Sequence, residues 1–270
     1  MDCNAHPQKE GIPIKITVIH GSMRVGNTYQ LTQAALARIS SHGDVELTEF
    51  RVKDLNLPLC TSCHLCFDKG ESACPHYSTM RPIAESIENA DALVLSGVTY
   101  ALHLNAATKN LIDHFAYYIH RPRLFDKQAL VVVTTAGGGD STVAKYLRST
   151  LNLWGLTTIR TLREKIRVVP FSLNEKQTRH VNAVADAFHA DVRTHRRARP
   201  NIKTYMMFSA FRGMNSAENA PSPCDRAYWQ QHGLLDNAYP RPTNPLLRPL
   251  GSGFAWMMKG IIERTVRVER

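Results

Sequence analysis

Three short runs constrain this chain more than any other feature: Ile-Lys-Ile-Thr-Val-Ile-His at 14–20, Ala-Leu-Val-Leu-Ser at 92–96 and Ala-Leu-Val-Val-Val-Thr-Thr at 129–135. Each has the β-branched and aliphatic content of a strand. The last two are apolar without alternation, as strands covered on both faces are. Residues 45–52 alternate enough for a further strand, and 157–162 and 165–169 read as extended. Helical patterns fill the intervals at 28–41, 82–89, 106–118, 142–154 and 175–196. Asn27 reads as an N-cap, with Gln30 three residues on. Strand and helix alternating at this spacing predict βαβ units. Right-handed crossovers then put helices on both faces of a doubly wound, five-stranded parallel sheet. Ligands of such sheets sit outside the carboxyl ends of the strands, near the point where strand order reverses. The loops after the first, third and fourth strands are therefore predicted to build the site.

The pattern breaks near residue 198. Pro221, Pro223 and a proline-rich stretch at 240–249 separate helical segments at 203–214 and 254–266. The expected organisation is a core over 1–198, with a cysteine-bearing insertion at 58–80, and a C-terminal extension over 199–270 that packs on the core or on a partner subunit. Net charge is +10. The last eighty residues carry 13 basic and 6 acidic side chains, so most of the excess lies there. Basic charge suits anionic cofactors, acidic partners or anionic surfaces. No nucleic-acid reading motif accompanies it. Phe254, Met257, Met258, Ile261 and Ile262 fall on one face of the last helical stretch. No apolar run is long enough to span a membrane, and the polar residues 1–10 lack a secretory h-region, so a cytoplasmic protein is expected.

The loop after the first strand is Gly21-Ser22-Met23-Arg24-Val25-Gly26-Asn27-Thr28. A helix N-terminus offers free N–H groups and partial positive charge, which suits a phosphate. Ser22, Asn27 and Thr28 add side-chain donors, and Arg24 adds a full charge. Neither the GKS/GKT of a Walker loop nor GxGxxG is present.

Gly21-Ser22-x-Arg24-x-Gly26-Asn27-Thr28 resembles the FMN-phosphate motif of the NAD(P)H-dependent FMN reductase and iron–sulfur flavoprotein families, which share the flavodoxin-like fold. Ser96-Gly97-Val98-Thr99-Tyr100, followed by Ala106-Ala107-x-Lys109-Asn110-x-Ile112-Asp113, is similar to their second flavin loop and the helix after it. Tyr228-Trp229-Gln230-Gln231-His232-Gly233-Leu234-Leu235 resembles the extension of some members. The resemblance implies FMN bound by Ser22, Arg24, Gly26, Asn27 and Thr28 at its phosphate. The ring would lie against Val98, Thr99, Tyr100, Ala101 and Leu102, with Thr135, Ala136, Gly137 and Gly138 completing the pocket. Val98 stands where the families usually have proline.

Cys60, Cys63, Cys66 and Cys74 lie within fifteen residues, with Pro75 after the last. Thiols at intervals of three suit a compact cluster. Zinc more often takes two separate CxxC knuckles, whereas Cys63 would belong to both here. The resemblance points to a [4Fe-4S] cluster on these four residues. Zinc, or thiols without metal, remain open, and Ser78-Thr79-Met80 replaces the acidic residues frequent before that methionine. Cys3 and Cys224 read as incidental. His64 lies within the cysteine loop, and His114 and His120 lie near a helix end.

Two functions follow from the resemblance. One is an enzyme that takes hydride from NADH or NADPH onto FMN and passes electrons to a quinone, free flavin or nitro compound. The other is an electron carrier between proteins such as ferredoxin. A homo-oligomer, dimer or tetramer, is expected. No protein acid or base is assigned, because the flavin carries the chemistry.

Overall fold

A computed structural model describes residues 13–43, 45–167, 170–236, 239–241 and 243–266. Cys3, Val168 and Val169 and residues 1–10 fall outside these ranges. The strands are β1 (Ile14–His20), β2 (Val45–Arg51), β3 (Ala92–Tyr100), β4 (His103–Leu104), β5 (Gln128–Thr135) and β6 (Thr158–Lys165). Five of them pair in parallel in the order β2-β1-β3-β5-β6, and β4 folds back antiparallel on β3. This is the doubly wound, flavodoxin-like sheet, with the order reversing at β1.

Period-two geometry explains why the apolar runs stay strands. In β5, Ala129, Val131 and Val133 enter the core on one face, while Leu130 and Val132 enter the core on the other. β3 divides likewise into Leu93 and Leu95 against Ala92 and Val94. Full burial of each such aliphatic side chain is worth about 1.5–3 kcal/mol. A one-residue slip would exchange every side chain between the two faces. The first core lies under α3 (Tyr77–Asn89), α4 (Ala106–His114) and α6 (Asp140–Leu153), and the second under α1 (Asn27–Ser40) and α7 (Glu175–Arg193).

Several local expectations change. Gly26, not Asn27, caps α1, and no side chain caps it. Asn27 opens the helix instead and donates Nδ2–H to the Ile166 carbonyl at 3.2 Å. The reciprocal capping box belongs to α7, between Asn174 and Gln177. α3 begins at Tyr77 and carries Pro82 inside it as its sixth residue, beyond the first turn, so the helix forgoes one backbone N–H there. The helix read over 106–118 divides into α4 and α5 (Tyr117–His120). At the break the Phe115 and Ala116 N–H groups bond three residues back, and Phe115 is fully buried against Tyr118 and Trp154. Of the extended stretches at 157–162 and 165–169, the first lies in β6, which runs on to Lys165; Ile166 and Arg167 follow outside the strand.

After α7 the chain forms α8 (Ile202–Ser216), α9 (Pro223–Gln231) and α10 (Arg248–Thr265). Tyr205, Phe208, Trp229, Leu234 and Tyr239 build a third core, joined to the main body by Phe125. α8 and α10 approach through small residues: a Cβ on Gly213 would lie 2.1 Å from the Ala255 carbonyl oxygen. The face of α10 that is buried is therefore Gly251, Ala255 and Ile262. Met257 and Ile261, on the apolar face expected to pack on the core or a partner subunit, are exposed in the single chain, as is Trp256. Among the described residues no helix is long and apolar enough to cross a membrane.

Candidate functional site

A cavity of about 510 Å³ opens at the carboxyl ends of β1, β3 and β5. Ser22, Arg24, Gly26, Asn27 and Thr28 line it from the first loop, Val98, Thr99 and Tyr100 from the second, and Thr135 and Ala136 from the third. Ala101, Leu102, Gly137 and Gly138 do not line it. Val25, Gln30, Thr134, Ile166, Pro170 and Phe171 do, although the sequence reading had not selected them. Gln30 lies one helical turn beyond Gly26 and Asn27, so helical spacing was a usable signal for it. Ile166, Pro170 and Phe171 come from beyond β6, a strand whose loop the sequence does not assign to the site, and Asn27 ties the Ile166 carbonyl to the start of α1.

The first loop is held by a close backbone fit. Gly21 N–H donates to the Ser96 carbonyl at 3.1 Å, and the Gly21 carbonyl accepts from Asn105 Nδ2 at 3.0 Å and Thr108 Oγ1 at 2.9 Å. A Cβ on Gly21 would lie 2.4 Å from both the Ser96 carbonyl oxygen and Thr108 Oγ1. Ser22 Oγ closes the next turn by donating to the Arg24 carbonyl at 2.8 Å. Thr28 and Thr134, both buried, share a hydroxyl hydrogen bond of 2.5 Å that ties α1 to β5. At the mouth of α1 no side chain caps the helix and no acidic residue stands in its first turn. Its N-terminal N–H groups thus face the cavity with the positive end of the helix dipole. Arg24 is exposed and has no carboxylate partner among the described residues. The donor set suits a dianionic phosphate.

The other two loops brace each other. Ala101 and Leu102 both have positive φ, 46° and 65°. They form the two-residue turn between β3 and β4, where left-handed central residues match the strand twist. Gly139, at φ 87°, packs against this turn: a Cβ there would lie 2.5 Å from the Leu102 carbonyl oxygen. The third loop also closes on itself. Thr135 Oγ1 donates to the Gly138 carbonyl at 2.9 Å and accepts the Gly137 N–H at 3.2 Å. Arg167 Nε holds the Ala136 carbonyl at 2.7 Å.

The cysteine loop hangs on α4. Buried Asn110 accepts the Cys60 N–H at 3.0 Å and donates to the carbonyls of Leu57 and Pro58 at 3.2 and 2.9 Å. Ser62 and His64 take left-handed backbone conformations, φ 53° and 63°, and wrap the chain between successive cysteines. A short helix, α2 (Leu65–Asp68), then carries Cys66. Cys60 and Cys63 are exposed, while Cys66 and Cys74 are half-buried. Burial first, then Cys74, push the Cys66 thiol up to about 11, with smaller contributions from Cys60 and Cys63 and the Arg121 guanidinium opposing; the other three cysteines thus each act on Cys66. Among the described residues no three His, Cys, Asp or Glu side chains stand in metal-binding array.

The three histidines of interest lie elsewhere than in the cavity. His64 is exposed, its ring 5.7 Å from Phe67. His114 is buried, with Nδ1 bonded to the Asn110 carbonyl and Nε2 to His76, both at 2.8 Å. His120 pairs with Asp225 at 2.8 Å. A larger cavity, about 730 Å³, lies between the cysteine loop (Gly70, Glu71), the stretch 121–127 and α9 (Cys224, Tyr228). None of the residues expected to hold the flavin lines it.

Comparison with known proteins places this geometry in context. A family model described as NADPH-dependent FMN reductase matches residues 14–163. An iron–sulfur flavoprotein of Archaeoglobus fulgidus is 34% identical over 149 residues, covering 54% of this chain and 66% of that protein. A second iron–sulfur flavoprotein of that organism is 29% identical over 100 residues, covering 37% and 48%. The chain thus spans from just under half to just under two thirds of the length of these relatives. Among solved structures, an NADH:FMN oxidoreductase in its apo form superposes with a TM-score of 0.50 at 19% identity, covering 66% of this chain and 89% of the other. RosB, solved with a bound formylriboflavin-phosphate intermediate, superposes with a TM-score of 0.51 at 16% identity, covering 67% and 78%. At those identities the superpositions speak for the fold alone.

Proposed function

The chain belongs to the NADPH-dependent FMN reductase family, and from that membership we propose that it is an FMN-dependent oxidoreductase, drawing electrons from NADH or NADPH for a quinone, a free flavin or a nitro compound. The observation that carries this reading is the 510 Å³ cavity: its inner end is an uncapped helix N-terminus with a carboxylate-free arginine, and its other walls come from the loops after β3, β5 and β6. Its size is that of a small-cofactor site. FMN, when bound, supplies two-electron acceptance from the nicotinamide and release to the acceptor.

The chain's own part is binding and orientation. The N–H groups at the start of α1 and the second Asn27 amide hydrogen would hold the phosphate, Ser22 and Thr28 joining by exchanging their present partners, the Arg24 carbonyl and Thr134, and Arg24 would balance its charge. Thr99, Tyr100 and Ala136 border the ring, and Pro170 and Phe171 give it an apolar wall. Gly137 N–H is already bonded to Thr135, so that amide serves to shape the loop. Anaerobic purification, an absorbance spectrum and NADH and NADPH oxidation with a quinone acceptor test the reading. A protein that neither carries nor takes up FMN would overturn it.

The same membership supports a [4Fe-4S] cluster on Cys60, Cys63, Cys66 and Cys74. Its support is the donor chemistry, four thiols on one wrapped loop with three of them acting on Cys66, together with the likeness to two iron–sulfur flavoproteins. Iron and sulfide assays of anaerobic protein decide it. An electron carrier serving an acidic partner such as ferredoxin is the second reading, favoured by the basic last third of the chain. Fast reduction by ferredoxin without oxidation of pyridine nucleotide would select it. We assign the flavin to 1–198 and treat 199–270 as an extension, in a cytoplasmic homo-oligomer.

A further inference from the structure

Three consecutive carbonyls of α2 are capped by side chains from far along the chain. The Cys66 carbonyl accepts from Arg121 Nη2 at 2.7 Å, the Phe67 carbonyl from Ser222 Oγ at 2.6 Å and the Asp68 carbonyl from Cys224 Sγ at 3.3 Å. A helix C-terminus leaves its last carbonyls without intrahelical partners, and in a helix this short they are most of its polar backbone. Two of the three donors stand at the start of α9.

The third donor, Arg121, is held by that same turn. Its guanidinium lies 3.3 Å from Asp225 and 3.2 Å from Glu71, while His120 takes the other Asp225 oxygen at 2.8 Å. Arg121 and Asp225 are each only 2% exposed. Ser222 Oγ also accepts the Asp225 N–H at 3.1 Å, so one hydroxyl caps both α9 and α2. Farther along α9, Tyr228 OH donates to the Pro122 carbonyl at 2.8 Å and Trp229 Nε1 to the His120 carbonyl at 2.7 Å. The stretch 120–123 is thereby sandwiched between the extension and the cysteine loop. Cys224, an isolated thiol in the sequence, is one of the contacts.

We propose that the C-terminal extension is a clamp on the cysteine loop, with Ser222, Asp225 and Arg121 as the positioning residues that fix Cys66 relative to the other three cysteines. The geometry of the clamp does not depend on a metal; its redox consequence rests on the cluster reading above. Arg121 is the cation that faces Cys66, and Asp225 and Glu71 offset it. Replacing Arg121 by a neutral side chain leaves two carboxylates beside the loop. Neutralising Asp225 leaves the guanidinium less compensated. Reduction of a cluster adds negative charge, so the two changes should move its potential in opposite directions.

The test uses full-length, anaerobically purified protein as wild type, S222A, R121Q, R121K and D225N. Hydrogen–deuterium exchange in peptides covering 65–72 should accelerate roughly five- to tenfold in S222A and R121Q, with β5 and α7 unchanged. In iron-loaded protein, dye-mediated titration should place the potential of R121Q below wild type and that of D225N above it. R121K should stay near wild type in potential while its loop exchanges faster. Unchanged loop exchange in S222A and R121Q overturns the clamp, and potential shifts of the same sign in R121Q and D225N overturn the charge assignment. Should R121Q fail to fold, S222A carries the exchange test. A wild-type protein that takes up no iron refutes the cluster reading alone, and the exchange measurement still decides the clamp.

Discussion

Gly21→Ala is the sharpest test of how the phosphate loop is held. The new methyl would sit 2.4 Å from the Ser96 carbonyl oxygen and from Thr108 Oγ1. Ser96 lies in β3, hydrogen-bonded on both sides by β1 and β5, and does not yield. Thr108 can turn away only by abandoning the Gly21 carbonyl and Asn105. Relief must come from displacement of residue 21, which strains three hydrogen bonds: its N–H to Ser96, and its carbonyl to Asn105 and Thr108. At about 1 kcal/mol each the loss is about 3 kcal/mol, or roughly 6–12 °C in melting temperature for a chain of this size. The displaced segment runs directly into Ser22 and Arg24, so FMN affinity should fall at least about tenfold, which needs only ~1.4 kcal/mol of that disturbance to reach the site. Differential scanning fluorimetry of apo protein and flavin-fluorescence titration read the two effects separately. Gly26→Ala is the control, since a Cβ there meets only the flexible Arg24 side chain, at 3.7 Å. Gly21→Ala protein that melts and binds FMN like wild type would refute the reasoning.

Arg24→Gln should weaken FMN binding about 5- to 30-fold while leaving the melting temperature of apo protein unchanged, and titrations at low and high salt should differ less than for wild type. Gly139→Ala combines a positive φ with a backbone collision at Leu102 and should destabilise by about 1–3 kcal/mol in urea melts; Gly137→Ala, with open space around its Cβ, should change little. His189 on α7 stacks on His42, and its pKa lies below the ordinary 6.5 because of burial first, then His42 and Arg193. The unfolded chain therefore takes up this proton before the folded one does. Stability from this residue is present above 6.5 and is lost as pH falls below it. His189→Gln should shrink the drop in melting temperature between pH 7 and pH 5; an unchanged drop would remove His189 as its source.

Much of the fold was legible because its strongest signals are local. A run such as 129–135 declares a strand by β-branching and two-sided apolarity, and a glycine–serine loop before a helix offers the backbone chemistry of an anion seat, though an ordinary turn uses the same residues. The resemblance then connected that loop with the stretches after β3 and β5, and the cavity gathers most of the residues so named. Capping and element ends were less legible. Asn27 has the chemistry of an N-cap, yet its amide is drawn to Ile166, 139 residues away. The apolar face of α10 was legible but not its use, because amphipathicity gives a helix an apolar stripe and does not say which part of it the chain's own core will take. α8 meets α10 through Gly213 and Ala255, and that contact turns Met257 and Ile261 outward.

The sequence by itself determined the parallel sheet, the glycine–serine loop at the end of β1 and the grouping of four thiols, since each is written in residues a few positions apart. Only the tertiary structure decided that Phe171 and Ile166 join the cavity beyond β1, β3 and β5, that Thr28 bonds Thr134 across 106 residues, and that Ser222 caps a carbonyl of the cysteine loop across 155. The reason is physical. Periodicity and propensity report how a segment meets its immediate neighbours in the chain. A buried hydroxyl or amide takes whatever partner the packed core brings within about 3 Å, and that partner is chosen by topology.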